Sequence, residues 1–352
     1  MPEKKNKLIG KCTAVIQWVT AKNGASPRRD YIPTSIRLGN GVEMPFMGLG
    51  TGGIPCTEQQ TEFSLRTALD LGYLHIDTAR AYATEPIIGK VLKEYFEAGK
   101  LTREDVFITT KLPCTQHDRA SVEKSLRNQL KDLQLDYVDL FLINTPCGVR
   151  VRNEEAGARG NNISYTSLTD TWKGMEDVYN LRLTRAIGLS NFNVDQIQRV
   201  YSTATIKPHN LQVEVNLHWP QKELVVLCQS LNVSLTAYAP IGSPGQRRML
   251  GMQEPSPLEE PLITYLAEKY QKTPAQILLR HLTQRNIVVI PKSIDAARLK
   301  QNIESMKFSM TDSDMDALGR VKPRSRVYNY ISRRSHPEYP FCELDDEVPI
   351  TV

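Results

Sequence analysis

The sequence predicts an α/β fold: a (β/α)8 barrel of the TIM type, preceded by a small β-hairpin cap and followed by a long C-terminal loop. Three observations carry this expectation. From residue 42 onward, eight short apolar runs alternate with amphipathic helical stretches over roughly 250 residues, the length of one such barrel. The runs are near-continuously apolar, as strands covered on both faces must be. Each run also ends in a polar residue, at the end of the strands where this architecture gathers its functional groups.

The candidate strands are Pro45–Leu49, Tyr73–Ile76, Val106–Thr110, Tyr137–Ile143, Ala186–Leu189, Leu211–Val215, Ser234–Tyr238 and Ile287–Ile290. Before the first, Leu38-Gly39-Asn40-Gly41-Val42 sets Asn-Gly between apolar residues, which predicts a two-residue hairpin turn and a cap on the bottom of the barrel. Thr57–Leu71 carries Phe63, Leu65, Ala68, Leu69 and Leu71 at helical spacing, and Gly72 follows where a helix-stopping glycine belongs. Ser121–Leu133 repeats the pattern with Val122, Leu126, Leu130 and Leu133. Thr273-Pro274 opens another helix, with Pro in its first turn, and Asp295–Met306 closes the series. The polar strand ends are Thr51, Asp77, Lys111, Asn144, Ser190-Asn191, Asn216, Tyr238 and Lys292-Ser293. Past about Val321 the chain is irregular and rich in Pro, Arg and Tyr, so residues 321–352 read as a loop lying over the barrel mouth.

Composition narrows the class. A hydrophobic fraction of 40% with 24% charged residues is that of an ordinary globular protein. No apolar stretch reaches the roughly 18 residues that a membrane span needs. The six cysteines are scattered without a C-x-x-C pair, and the six histidines are dispersed too. They read as reduced thiols of a cytoplasmic protein, with no metal cluster. Residues 1–34 hold seven basic and two acidic residues and account for the whole net charge of +5. A disordered basic extension is the expected reading of 1–34, a targeting segment the alternative, with the barrel domain on 35–352. No basic helix or aromatic-interleaved patch follows, so a nucleic-acid partner has no support.

The strand ends carry chemistry. Asp77 closes one strand, Tyr82 follows five residues later, and Lys111 ends the next strand. Asp, Tyr and Lys together make a proton-transfer set, because a nearby cation favours the phenolate and lowers a phenol's pKa. Asp77 and Lys111 could be a structural ion pair only, but a buried pair is a poor source of stability, so function explains them better. Gly48-Leu-Gly50-Thr-Gly52-Gly53 imitates a dinucleotide-binding fingerprint. Against that reading, Ile54-Pro55-Cys56-Thr57 intervenes before the helix, where the third glycine should already be helical.

Several segments resemble the aldo-keto reductase superfamily, across nearly all of residues 36–345. They are Gly72-Tyr-Leu-His-Ile-Asp77-Thr-Ala-Arg-Ala-Tyr82-Ala-Thr-Glu85, Gly188-Leu-Ser-Asn191-Phe-Asn193, Ile290-Pro-Lys292-Ser293 with Arg298 and Asn302, and His336-Pro-Glu-Tyr-Pro-Phe341. The resemblance implies NADPH-dependent reduction of a small-molecule carbonyl, an aldehyde or ketone, by a monomer. Tyr82 would be the general acid, tuned by Lys111, which a salt bridge to Asp77 would hold. Ser190, Asn191 and Gln212 would bind the nicotinamide carboxamide, and Tyr238 would stack on the ring. Lys292, Ser293 and Arg298 would take the 2′-phosphate, Asn302 the adenine, and Ile241 and Ser243 the pyrophosphate. Thr51 is counted with the cofactor set as well.

The chain departs from the family pattern at one central place. Asn144-Thr145-Pro146 stands where the family has His, a bulky residue and Pro. The His donates a hydrogen bond to the substrate carbonyl; an Asn amide can donate too, but it is shorter and does not titrate. Gly52, Pro113 and Thr145 are small where aromatic residues are frequent, which predicts a wider and less aromatic pocket. A working reductase with shifted substrate preference is the first expectation. An NADPH-binding sensor or regulatory protein with weak or no turnover is the alternative.

Overall fold

The computed structural model describes residues 34–54, 56–150 and 163–341. The expected basic extension lies outside them except for Thr34, as do residues 151–162 and the last part, 342–352, of the expected C-terminal loop.

Two antiparallel strands, Ser35–Arg37 and Glu43–Pro45, form the hairpin. Its turn is not the expected two-residue type. Gly41 N donates to Leu38 O at 2.8 Å and Leu38 N to Val42 O at 2.8 Å, leaving Gly39, Asn40 and Gly41 between the closing pair. Gly41 takes φ +88° while Asn40 stays out of the left-handed region. This is a three-residue loop in which glycine supplies the bulge. Asn40 is used instead as a tether, donating from Nδ2 to Arg185 O at 2.8 Å.

Eight parallel strands follow: β1 (Gly48–Gly50), β2 (His75–Asp77), β3 (Phe107–Leu112), β4 (Leu140–Ile143), β5 (Ile187–Ser190), β6 (Asn210–Glu214), β7 (Ser234–Tyr238) and β8 (Ile287–Val289). Each pairs with the next in chain order. The ring closes where Met47 pairs with Val289, with Val289 N donating to Phe46 O at 2.8 Å and Gly50 N to Pro291 O at 3.1 Å. The result is the closed barrel that the alternation of apolar runs predicts, and the Gly48–Gly53 segment is its first strand and the loop after it.

The helices that cover the ring are α1 (Glu58–Asp70), α2 (Glu85–Glu97), α3 (Arg119–Leu133), α4 (Leu168–Asn180), α5 (Val194–Thr203) and α6 (Lys222–Ser230). After β7 come α7 (Pro244–Met249), α8 (Pro261–Tyr270) and α9 (Pro274–Thr283), and after β8 come α10 (Ala296–Glu304) and α11 (Asp312–Gly319). Local chemistry marks their ends. Thr57 accepts from Gln60 N and Gln60 Oε1 accepts from Thr57 N, a reciprocal cap that satisfies two otherwise orphaned donors. Thr273 caps α9 in the same way before Pro274.

The core has two parts that matter for the site. The larger lies between the strands and the covering helices, where Leu65, Ile88, Val122, Trp172 and Ile197 are buried. The second is the floor of the barrel: Leu38, Met44 and Phe46 from the hairpin region pack on Phe107, Leu140, Leu142, Ala186 and Val288. The floor is closed by these apolar side chains, so the polar strand ends have only the opposite, C-terminal mouth to face.

Candidate active site

At the mouth, Asp77 ends β2 and is 2% exposed. Both its oxygens are used. Oδ1 accepts from Lys111 Nζ at 2.7 Å, and Oδ2 accepts from Gln212 Nε2 at 2.7 Å. Lys111 reaches up from β3, 1% exposed, and also donates to Thr78 O at 2.9 Å. A buried ammonium needs such partners, because each charge left unpaired costs several kcal/mol, on the order of the pair itself.

Tyr82 closes a 3-10 turn, Arg80–Tyr82, that Ala83 ends in a left-handed conformation (φ 55°). Lys111 Nζ stands 5.0 Å from the centroid of its ring. The ring leans on Gly52, where a Cβ would come within 2.5 Å of Tyr82 Cζ. Gly52 therefore does not widen the pocket as expected, since the phenol ring fills the space that a side chain would take. The lysine does not lower the phenol's pKa in this state either. Burial pushes the Tyr82 hydroxyl well above the ordinary phenol value, with the charge of Asp77 and then Tyr328 acting in the same direction. Lys111 spends its charge on Asp77 at 2.7 Å, so its pull on the phenol does not offset burial and the Asp77 charge.

The second wall comes from β5, β6 and β7. Asn191 sits in the left-handed region (φ 62°), which Asn tolerates better than most residues. Its Nδ2 donates to Asn144 O at 2.9 Å, and its Oδ1 accepts from Tyr238 OH at 2.7 Å. The main chain of Asn144 is thus held, also through its N–H to Leu112 O at 3.3 Å, while its side-chain amide makes no hydrogen bond to any described residue and borders the cavity. Burial, and then the neighbouring Tyr330 and Glu214, raise the Tyr238 phenol well above its ordinary value.

These groups line one cavity of about 880 Å³. Asp77, Tyr82, Asn144, Ser190, Asn191, Gln212 and Tyr238 border it, together with Ile241 and Ser243 from the loop after β7. So do Lys292, Ser293, Arg298 and Asn302 from the loop after β8 and from α10. Lys292 Nζ meanwhile donates to Ile54 O at 2.7 Å. Thr51 and Lys111 are the exceptions among the expected residues. The Thr51 hydroxyl donates to Asp77 O at 2.9 Å and meets Thr84 Oγ1 at 3.0 Å, and it does not border this cavity. It ties β1 to β2 under the site. Lys111 lies beneath the lining, paired with Asp77 and set against the Tyr82 ring. Pro113 and Thr145, expected to widen the pocket, do not border the cavity either.

The lining also holds residues that sequence reading missed. Tyr328 and Tyr330 enter from the C-terminal segment, so the pocket is more aromatic than expected. Tyr328 packs edge-on against Tyr238 at 5.5 Å between centroids, and its hydroxyl lies 3.1 Å from Ser243 Oγ. Arg248 adds a third cation to Lys292 and Arg298. Cations and a hydroxyl in one part of the cavity, with amide and phenol groups in the other, fit a phosphate-bearing dinucleotide. Among the described residues, no group of three or more metal-ligating side chains occurs and no helix is long and apolar enough to cross a membrane.

Comparison with known proteins agrees with this architecture. The family model for "Aldo/keto reductase family" matches residues 46–322. "Aldo-keto reductase family 1 member A1" of Gallus gallus is 41% identical, over 87% of this chain and 97% of its own length. Its Homo sapiens counterpart is 40% identical over the same shares, and "Aldo-keto reductase AKR2E4" of Bombyx mori is 38% identical. Among solved structures, the aldose reductase of Schistosoma japonicum superposes with a TM-score of 0.79 at 35% identity, covering 88% of this chain and 99% of that one. With a family model over most of its length and relatives near 40% identity, this chain belongs to the aldo/keto reductase family.

Proposed function

We propose that this protein reduces the carbonyl of a small molecule, an aldehyde or ketone, to an alcohol, with NADPH as the hydride source and Tyr82 as the proton donor. The observation that carries the reading is the buried Asp77–Lys111 pair set against the ring of Tyr82, in a cavity that Lys292, Ser293 and Arg298 also line. NADPH, when bound, would supply a hydride to the carbonyl carbon. Tyr82 Oη gives its proton to the carbonyl oxygen as the carbon–oxygen double bond opens, and the phenolate left behind regains a proton from solvent. Burial keeps the phenol protonated in the free protein, and acid catalysis needs its pKa drawn down toward the working pH as the reaction proceeds. The Lys111 ammonium beside the ring steadies the phenolate, and Asp77 holds the ammonium.

Gln212, fixed by its Nε2 on Asp77, keeps its oxygen for the carboxamide, with Ser190 and Asn191 beside it. Tyr238 offers its ring as the stacking surface. Lys292, Ser293 and Arg298 take the 2′-phosphate, Ile241 and Ser243 cover the pyrophosphate, and Asn302 reaches the adenine. Thr51 serves the cofactor set indirectly, through Asp77. Asn144 donates from its free amide to the substrate carbonyl. The protein works as a cytoplasmic monomer in this reading.

The amide at position 144 also supports the second reading, an NADPH-binding protein of weak turnover. Titrating NADPH while following protein fluorescence, then adding a panel of aldehydes, ketones and enones, separates the two. Saturable binding followed by oxidation on the panel is expected. Binding with no oxidation, together with a gain of about 10²-fold in Asn144→His, would assign the loss to that one donor. No binding at all would remove both readings.

A further inference from the structure

Glu214, at the end of β6, is fully buried, with no part of its surface exposed. No step proposed above uses it. A carboxylate in such a place must be held by donors, and the donors here come from far along the chain. Val327 N donates to Oε1 at 2.9 Å and to Oε2 at 3.2 Å, and Tyr328 N donates to Oε2 at 2.9 Å. Asn216 Nδ2 adds a longer bond to Oε1 at 3.4 Å.

The residues on either side of this seat are also gripped. The Arg326 guanidinium lies 3.7 Å from the ring centre of Phe341 and 4.7 Å from that of Trp219, in cation–π geometry with both. Tyr328 packs on Tyr238 and meets Ser243, as described above. Two residues on, Tyr330 holds a left-handed backbone (φ 48°) that a tyrosine does not adopt without outside support. It borders the cavity with Tyr82 and Asn144. One buried side chain on the barrel thus holds two successive amides of the stretch that brings both phenols over the site.

We propose that Glu214 is a positioning residue: its carboxylate docks the Arg326–Tyr330 stretch on the mouth of the barrel and thereby sets the substrate-facing wall made by Tyr328 and Tyr330. A carboxylate suits the task better than a neutral acceptor, since its two oxygens receive several N–H groups at once and charge-assisted bonds are the stronger ones. The docking itself does not depend on the reductase reading; its effect on substrate binding rests on that reading.

The test compares Glu214→Gln, which keeps one acceptor oxygen, with Glu214→Leu, which keeps none. Hydrogen exchange of the Val327 and Tyr328 amides is measured against amides of β3 to β5 as internal controls. Exchange at 327 and 328 should quicken roughly tenfold in the Gln variant and further in the Leu variant, the controls unchanged. With any carbonyl that is turned over, KM should rise in the same order while kcat falls less. Unchanged protection at 327 and 328 in both variants would overturn the proposal. Equal loss at those amides and in the controls, in both variants, would also overturn it, by making Glu214 an ordinary core group. If exchange behaves as expected and no carbonyl is turned over, the docking stands and the reductase reading fails.

Discussion

The two ends of the barrel are built from the same eight strands and do opposite things. The floor, where the strands begin, is sealed by Leu38, Met44 and Phe46 against Phe107, Leu140 and Val288. The mouth, where they end, holds a buried ion pair, the amides of Asn144, Asn191 and Gln212, and four phenols around a cavity. The floor pairs its few buried polar groups with each other, as Asn210 with Thr236 and His75 with Thr109, and gains mainly by excluding water from apolar side chains. The mouth must satisfy every buried polar group and leave a few unspent for a ligand. Stability at the floor is a matter of area, and function at the mouth is a matter of which donors remain free.

The comparison breaks first at Tyr82. Tyr82→Phe removes the proton donor without changing shape much, and turnover should fall about 10²–10⁴-fold with thermal stability and NADPH binding kept, in steady-state assays beside a fluorescence titration. Retained turnover would take the general acid away from the mouth's best-placed phenol. The reverse is expected at the floor. Met44→Ala should cost about 2–5 kcal/mol in denaturant unfolding while activity per folded molecule stays the same. A loss of activity without a loss of stability would show that the two ends are coupled.

The smallest effect touches both ends. Burial pushes His75, packed on Phe107 near the floor, and His117, in the loop after β3, down to about 4. His281 on α9 goes down to about 3, also through burial. The folded state binds fewer protons at these sites than the unfolded chain does. Their contribution is therefore complete above the ordinary histidine value near 6.5 and is lost as pH falls toward the folded values. Near pH 5.5 the loss is on the order of 1 kcal/mol per histidine, read as a falling melting temperature. A melting temperature that is flat from pH 7 to 4.5 would remove these imidazoles from the account.

The barrel was legible because strand burial on both faces leaves a continuous apolar run, and Asp77, Tyr82 and Lys111 were legible because they sit within a few residues of such runs. The same logic ran out where contacts are distant in sequence. Nothing local about Glu214 says that Val327 and Tyr328 will sit on it. Tyr328 and Tyr330 lie in a stretch without periodicity, so their place over the cavity has no pattern to reveal it. Gly52 was misread for a related reason: its missing side chain makes room for Tyr82, which is 30 residues away. At the C-terminus, α11 did carry a signal that was passed over. Thr311 caps Asp314 N, with Met315 and Leu318 at helical spacing behind it. The Asn-Gly turn shows the opposite fault, a strong local signal overruled when Asn40 found a better partner in Arg185.

The bond from Val289 N to Phe46 O has a consequence for how the molecule is made. A chain growing from its N-terminus carries Asp77, Tyr82 and Lys111 early, but the strand that closes the ring, Ile287–Val289, is synthesised well over a hundred residues later. Gln212 is already made by then, but until the last strand arrives the ring stays open beside β1. The pocket that Asp77 and Tyr82 line is thus completed by the final strand's arrival, although that strand contributes neither residue.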